Sequence, residues 1–423
     1  MKNKKAFIER AKNVLIVLLV ISAAVLSVKN GYFSAVTDRL TRAFGHDPGE
    51  TYMPQGGSGS ENPELAMPSA VLASRGGVFF ASVYDRAAVE ESFGLFSAYF
   101  SEALGSAGAA ESIGEDDFRS LLEGGSAVFC YDVPRKLDLL GRWLSTEMLS
   151  PAKDCEASLA VLSPDGDAVR LLIRTSEGEF YSCGTAVSAE ALEARIGSMS
   201  GERAYFAYED ELYAGCGAYC VIPENMPSIP GVNATDAVGT SLNAAVIMGE
   251  LGMNSLVSTS YRETDGTVVY IEGSKTLRID PRGRLGFSEE SGSRAYAGTG
   301  EAEAVGIAEA LIKACAESVG GDAVVAFSGL RYDEAPGQYT VSFRYEIDGI
   351  PVESELGDAG EIRIKNGSIT SAELLLRRYD MTEETEKPLP AVQAFALASA
   401  SGGDAALVYA DHGESVRCVW VMD

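Results

Sequence analysis

Histidine is nearly missing from this chain of 423 residues: there are two, His46 and His412. A Ser or Cys nucleophile of the triad type needs an imidazole held between it and an acid. His46 falls in a Pro/Gly-rich stretch and His412 in a turn near the C-terminus, so neither is placed for that work. No HExxH or CxxC pairs occur, which leaves zinc without a ligand frame. No glycine-rich loop of the phosphate-cradling kind is present. Basic residues are also scarce, 34 Lys+Arg against 61 Asp+Glu for a net charge of −27. A surface this acidic repels nucleic acid and anionic polymers. The seven cysteines are odd in number and widely spaced, unlike an exported disulfide framework. Most sit in apolar runs as small hydrophobes, and free thiols are expected. Cys216 and Cys220 form the only close pair; in an extended strand they would stand about 13 Å apart and could not bridge.

Long apolar runs are missing too, with one exception. Residues 13–28, NVLIVLLVISAAVLSV, carry no charge and are bounded by Lys12 and Lys29. Before them stand Lys2, Lys4, Lys5, Arg10 and Lys12 against Glu9 alone. This asymmetry predicts a cytoplasmic tail, one membrane helix, and delivery of everything after it to the outside. As a helix the run is roughly 24 Å long, against about 30 Å of hydrocarbon. Snorkelling of the flanking lysines covers the shortfall. A removed signal peptide is the competing reading. Ala23 and Ser27 make a small-xxx-small pair that would let another helix approach in the bilayer.

The expected fold class is α+β: a single N-terminal transmembrane helix, an extracytoplasmic α/β domain, then a pair of repeated helix-plus-antiparallel-sheet modules. The segments read as a cytoplasmic tail (1–12), the anchor (13–28), a juxtamembrane helix with a flexible linker (29–68), the α/β domain (69–235), a first module (236–300) and a second (301–423). Phe33, Val36, Leu40 and Phe44 lie at helical spacing after the anchor, and GGSGS (56–60) among four prolines makes a tether. In 69–235, strands are predicted over 78–83, 127–131, 157–162, 169–174 and 179–183, and helices over 85–104, 115–122, 135–144 and 189–196. Val89, Phe93, Phe96 and Phe100 mark the buried face of the first helix. Beyond 235, Tyr270 with Leu277-Arg278-Ile279 matches Tyr345 with Ile362-Arg363-Ile364, each set preceded by a helix (237–251 and 301–319) and ended by a glycine turn. Two stacked helix-plus-meander modules follow from this. A helix over 390–400 and strands over 405–410 and 415–422 close the chain.

Catalytic candidates are thin. Glu115-Asp116-Asp117 reads as a helix start, where acids complement the dipole, and Asp165-Gly166-Asp167 as a hairpin turn; neither has calcium-loop spacing. Arg278 and Arg363, at matching repeat positions, could bind a carboxylate or simply share a solvent face. No cofactor or metal is expected.

The order of tail, anchor, tether and α/β region, the Tyr270…Thr276-Leu277-Arg278-Ile279…Gly283 strands, the Tyr345…Asp348-Gly349-Ile350-Pro351-Val352 strand with its Asn366-Gly367 turn, and the closing Leu389-Pro390…Gln393-Ala394 and Trp420 together resemble the YycH/YycI regulators of Firmicutes two-component systems. The length favours YycH over the shorter YycI. The resemblance spans most of the chain, in layout and hydrophobic pattern. It implies a non-enzymatic modulator in the cell membrane that contacts a sensor histidine kinase of cell-wall metabolism, together with a sister YycH/YycI-type protein. The acidic charge argues against nucleic acid as a partner, and the sequence identifies no small-molecule substrate. Two other readings stay open: an exported carboxylate-dependent cell-wall glycan enzyme, and an anchored module binding a peptide or wall fragment.

Overall fold

A computed structural model describes residues 62–236, 244–289, 299–335, 337–413 and 415–422. The run 13–28 with Ala23 and Ser27, the stretch 29–44, His46 and the GGSGS tether lie outside the described residues. No helix among the described residues is long and apolar enough to cross a membrane.

The architecture is α+β, built on two large sheets. The first has nine strands: β1 (Ala70–Arg75), β2 (Val78–Val83), β3 (Glu111–Ser112), β4 (Ala127–Lys136), β5 (Glu156–Asp165), β6 (Ala168–Thr175), β7 (Phe180–Ser188), β8 (Glu202–Phe206) and β9 (Val221–Pro223), in the order β3-β7-β6-β5-β4-β1-β2-β8-β9. Every pairing in it is antiparallel. The region is therefore α+β in itself: tight turns close the β1–β2, β5–β6 and β6–β7 hairpins, whereas a parallel pair would need a long crossover connection. Gly166 and Gly178, both at positive φ, make two of those turns where the sequence places them.

Helix α1 (Arg86–Ser106) lies on one face of this sheet. Asp85 caps it by accepting from the Ala88 amide at 2.9 Å. Phe93, Phe96 and Phe100 are buried and meet Phe129 of β4. Each such ring contributes about 1.5–3 kcal/mol of burial. Helix α2 (Glu115–Glu123) covers the other face through Phe118 and Leu122, with Glu115, Asp116 and Asp117 in its first turn. Helix α3 (Leu137–Trp143) starts two residues later than expected, since Arg135 and Lys136 still pair with β5. Helix α4 is Ala189–Ser198.

The second sheet holds eleven strands. β11 (Thr259–Arg262), β12 (Val268–Glu272), β13 (Lys275–Ile279) and β14 (Arg284–Glu289) form one meander after α5 (Ala244–Glu250). β15 (Val324–Asp333), β16 (Gln338–Ile347), β18 (Gly360–Lys365) and β19 (Ser368–Leu375) form another after α6 (Glu301–Val319), with β17 (Ile350–Ser354) interposed. The meanders are not stacked. Their last strands, β14 and β19, pair antiparallel, so the order β11-β12-β13-β14 meets β19-β18-β16-β15 as a local two-fold would require. Leu277, Phe287, Ile362 and Leu374 are buried in one core, and α6 packs on β15, β16, β18 and β19 and against α5. β17 then runs parallel to β21 (Ala405–Asp411), which pairs with β22 (Val416–Met422). A separate ladder joins β10 (Ile229–Asp236) to β20 (Arg377–Glu386), tying the end of the first region to the second. Helix α7 (Ala391–Ser401) packs through Phe395 against Trp420 and beside Cys216.

Candidate ligand cavity

One rung of the nine-stranded sheet runs straight across five strands. Arg174 of β6 faces Leu159 of β5, Leu159 faces Cys130 of β4, Cys130 faces Ala70 of β1, and Ala70 faces Val83 of β2. All five line a single cavity of about 370 Å3. Its floor is therefore one charge followed by four apolar residues. Neighbouring strands are about 4.8 Å apart, so the rung is roughly 19 Å from end to end.

A bulge in β5 shapes the charged end. The register slips between Ala157 and Leu159, leaving Ser158 unpaired. Its hydroxyl donates to the carbonyl of Arg174 and accepts from Arg174 Nη1 at 2.9 Å. The guanidinium lies 5.0 Å from the centre of the Tyr219 ring, a cation–π contact. Nε is buried with no acceptor, and no carboxylate pairs with Arg174 among the described residues.

The opposite wall comes from distant sequence: Phe395 of α7, Leu407 of β21 and Pro351 of β17. At one side the Gly217 amide donates to Asp404 at 2.5 Å, fixing that carboxylate. Burial pushes the Cys220 thiol up to about 12, with Asp404 adding to the effect, so Cys220 is a neutral thiol and no nucleophile. Tyr84, between β2 and α1, also borders the cavity. Its φ is +58°, a left-handed conformation that is strained for an aromatic residue. Its ring meets Trp420 edge-on, 6.0 Å between centroids.

A second cavity, about 430 Å3, shares Ser69, Asp132 and Gly349 with the first. Its charges are mostly matched. Lys313 of α6 pairs with Glu64 at 2.7 Å and Glu309 at 2.9 Å, and Arg344 pairs with Asp132 and Glu346. Arg135 is the exception: it donates to the carbonyls of Val133 and Phe327, and burial pulls its guanidinium down to about 10.

The residues singled out in the sequence do not converge. Arg278 pairs with Glu263 and Arg363 with Glu361, on strands separated by β14 and β19. His412 Nδ1 meets Glu355 at 2.7 Å in an exposed pair. Cys216 and Cys220 are free thiols in a turn-rich segment before β9, not in an extended strand; all seven cysteines are free. Among the described residues no group of three or more potential metal ligands is gathered. Arg174 was missed. The signal for it is weak: in Val169–Arg174 alternate residues face opposite ways, and Arg174 shares its face with Leu172 and with Arg170, which pairs with Asp165.

No protein-family model, curated protein or solved structure matches this chain.

Proposed function

We propose that this chain is a membrane-anchored extracytoplasmic regulator of a sensor histidine kinase, in a two-component system governing cell-wall metabolism. It works by protein contact through its transmembrane helix (13–28) and its outer domains, with no chemistry of its own. The anchor, the repeated modules and a sister protein of the YycH/YycI type belong to this reading.

The observation that carries it is how the chain enters the fold. The Asn62 amide donates to the Trp143 carbonyl at 3.0 Å, and the Asn62 side chain donates to Glu309 of α6. Glu64 is bound by Lys313 of the same helix. Leu65 and Ala66 are buried. Residues 62–66, inside the segment read from sequence as flexible linker (29–68), are thus fastened to α3 and to α6 at once. The segment that joins the tether to the fold is held by both sheets. A membrane helix biases a kinase only if it binds one packing of the kinase's helices better than another.

The test is co-purification of the full chain with a sensor kinase from membranes, together with kinase output after deletion of residues 1–44. Association, and output that changes on deletion, support the proposal. No association and unaltered output would refute it. Glycan turnover by the purified protein, abolished by one Asp or Glu substitution, would favour the wall-enzyme reading instead.

A further inference from the structure

We propose that the 370 Å3 cavity above the β6-β5-β4-β1-β2 rung is a binding site for an apolar chain that ends in a carboxylate. The carboxylate meets Arg174 and the chain lies along Leu159, Cys130, Ala70 and Val83. This goes beyond the regulatory reading and does not depend on a kinase being the partner.

Four observations converge on that ligand chemistry. The volume lies in the range of small-molecule sites, which are mostly apolar with a few placed polar groups. The polar group is at one end. Arg174 is half-buried and has no carboxylate partner among the described residues. A guanidinium withdrawn from water is stabilised by an anion. Ser158 occupies Nη1 and protein encloses Nε, which leaves Nη2 as the donor without a partner. Finally, the guanidinium is pre-positioned by the Ser158 bulge and the Tyr219 ring, so little side-chain freedom is lost on binding.

The acids near the site do not supply the missing partner. Asp404 is held by the Gly217 amide, and Asp132, at the far side, by Arg344. From Arg174 to Val83 the floor has no further charge. A rung of roughly 19 Å accommodates an extended peptide end of about five residues, or a fatty chain of similar reach. Both sources present the same chemistry, an apolar chain and one terminal carboxylate.

The site is tested with the full chain in detergent, using four probes: octanoate, octanamide, an acetylated Val-Leu-Ala-Val peptide with a free C-terminus, and the same peptide as its C-terminal amide. Calorimetry measures affinity. Trp420 fluorescence gives a second reading, because its ring touches Tyr84 at the cavity wall. At least one acid should bind tenfold or more tighter than its amide. Arg174→Gln should erase that preference, with Arg174→Lys intermediate. Ala406→Phe, at an exposed position on the cavity rim, should block binding while leaving Arg174 intact. Far-ultraviolet circular dichroism confirms that each variant is folded. Binding of octanoate alone identifies a lipid-derived acid, and binding of the peptide alone a peptide terminus; either supports the site. Equal binding of acids and amides, no binding of either acid at millimolar concentration, or undiminished acid binding by folded Arg174→Gln would overturn it.

Discussion

Arg377 and Asp411 illustrate what a buried charge requires here. Both are almost fully buried, 2 % and 0 % exposed. Arg377 Nε reaches Asp411 Oδ2 at 2.5 Å and Nη2 reaches Oδ1 at 3.0 Å, a two-pronged pair. The Tyr379 hydroxyl donates to the same carboxylate at 2.9 Å, the Gly413 amide at 2.8 Å, and Asp236 takes the other side of the guanidinium at 2.6 Å. Burial alone would raise the Asp411 carboxyl, but Arg377, Gly413 and Tyr379 outweigh it and hold the group below the usual carboxylate range. Removing one partner of such a pair strands the other. Asp411→Asn should cost about 3–5 kcal/mol, read as a lowered urea midpoint. The pH dependence has a fixed sign. A carboxyl depressed in the folded state stabilises fully above its unfolded value and loses that stabilisation as pH falls through the folded one. The gap between wild type and Asp411→Asn should therefore be constant from about pH 5 upward and close below about pH 4. A gap that widened in acid would contradict this account of Asp411.

Among the elements, the seam between β14 and β19 is the joint on which the repeat depends. The β13–β14 turn is Asp280-Pro281-Arg282-Gly283. Asp280 Oδ1 accepts from the Arg282 and Arg284 amides, 2.8 Å each, and Gly283 sits at φ +87°. The Gly283 carbonyl accepts from the Leu376 amide at 2.8 Å, which continues the β14–β19 ladder past its end. A Cβ on Gly283 would lie 2.2 Å from the Leu376 carbonyl oxygen. Gly273, in the β12–β13 turn, has φ +59° with nothing within 4 Å of its Cβ position. Gly273→Ala should then cost about 1 kcal/mol for the left-handed backbone alone, and Gly283→Ala about 3 kcal/mol, because the seam must also shift. Equal denaturation midpoints for the two variants would show that the close approach at Leu376 carries no weight. Of the two turns, the one at Gly283 was legible in the sequence. The contact that separates them was not, since Leu376 lies far along the chain from Gly283.

For the molecule as a whole, the consequential feature is the fastening of residues 62–66. Its parts are individually weak, as half-exposed ion pairs contribute about 0–1 kcal/mol each. Together they decide whether that segment moves with the sheets. Asn62→Ala combined with Glu64→Ala, which keeps Glu309 paired with Lys313, should leave the global urea midpoint nearly unchanged, yet speed hydrogen exchange at the amides of residues 62–66. Unchanged exchange would mean that burial of Leu65 and Ala66 holds the segment by itself. On the regulatory reading the same double variant should uncouple the protein from kinase output. So should replacement of residues 13–28 by polyleucine, with membrane association retained. Unchanged output after the polyleucine exchange would reduce the run to a tether.

Much of the local structure was readable from the residues alone. The phenylalanine spacing defines α1, the acids at 115–117 begin α2, and glycine turns separate β5, β6 and β7, because periodicity, helix-end charge and turn chemistry act within a few residues. The repeat was also visible as a pattern, Leu277-Arg278-Ile279 against Ile362-Arg363-Ile364. What tertiary structure alone decided is which strands lie side by side. It joined the two meanders at β14 and β19, fastened β10 to β20, and set Arg174 at the end of a row with Leu159, Cys130, Ala70 and Val83. Each strand's own alternation shows which residues share a face. Register across strands depends on bulges such as the one at Ser158 and on contacts made over long stretches of chain, so a row of this kind exists only once the sheet has closed.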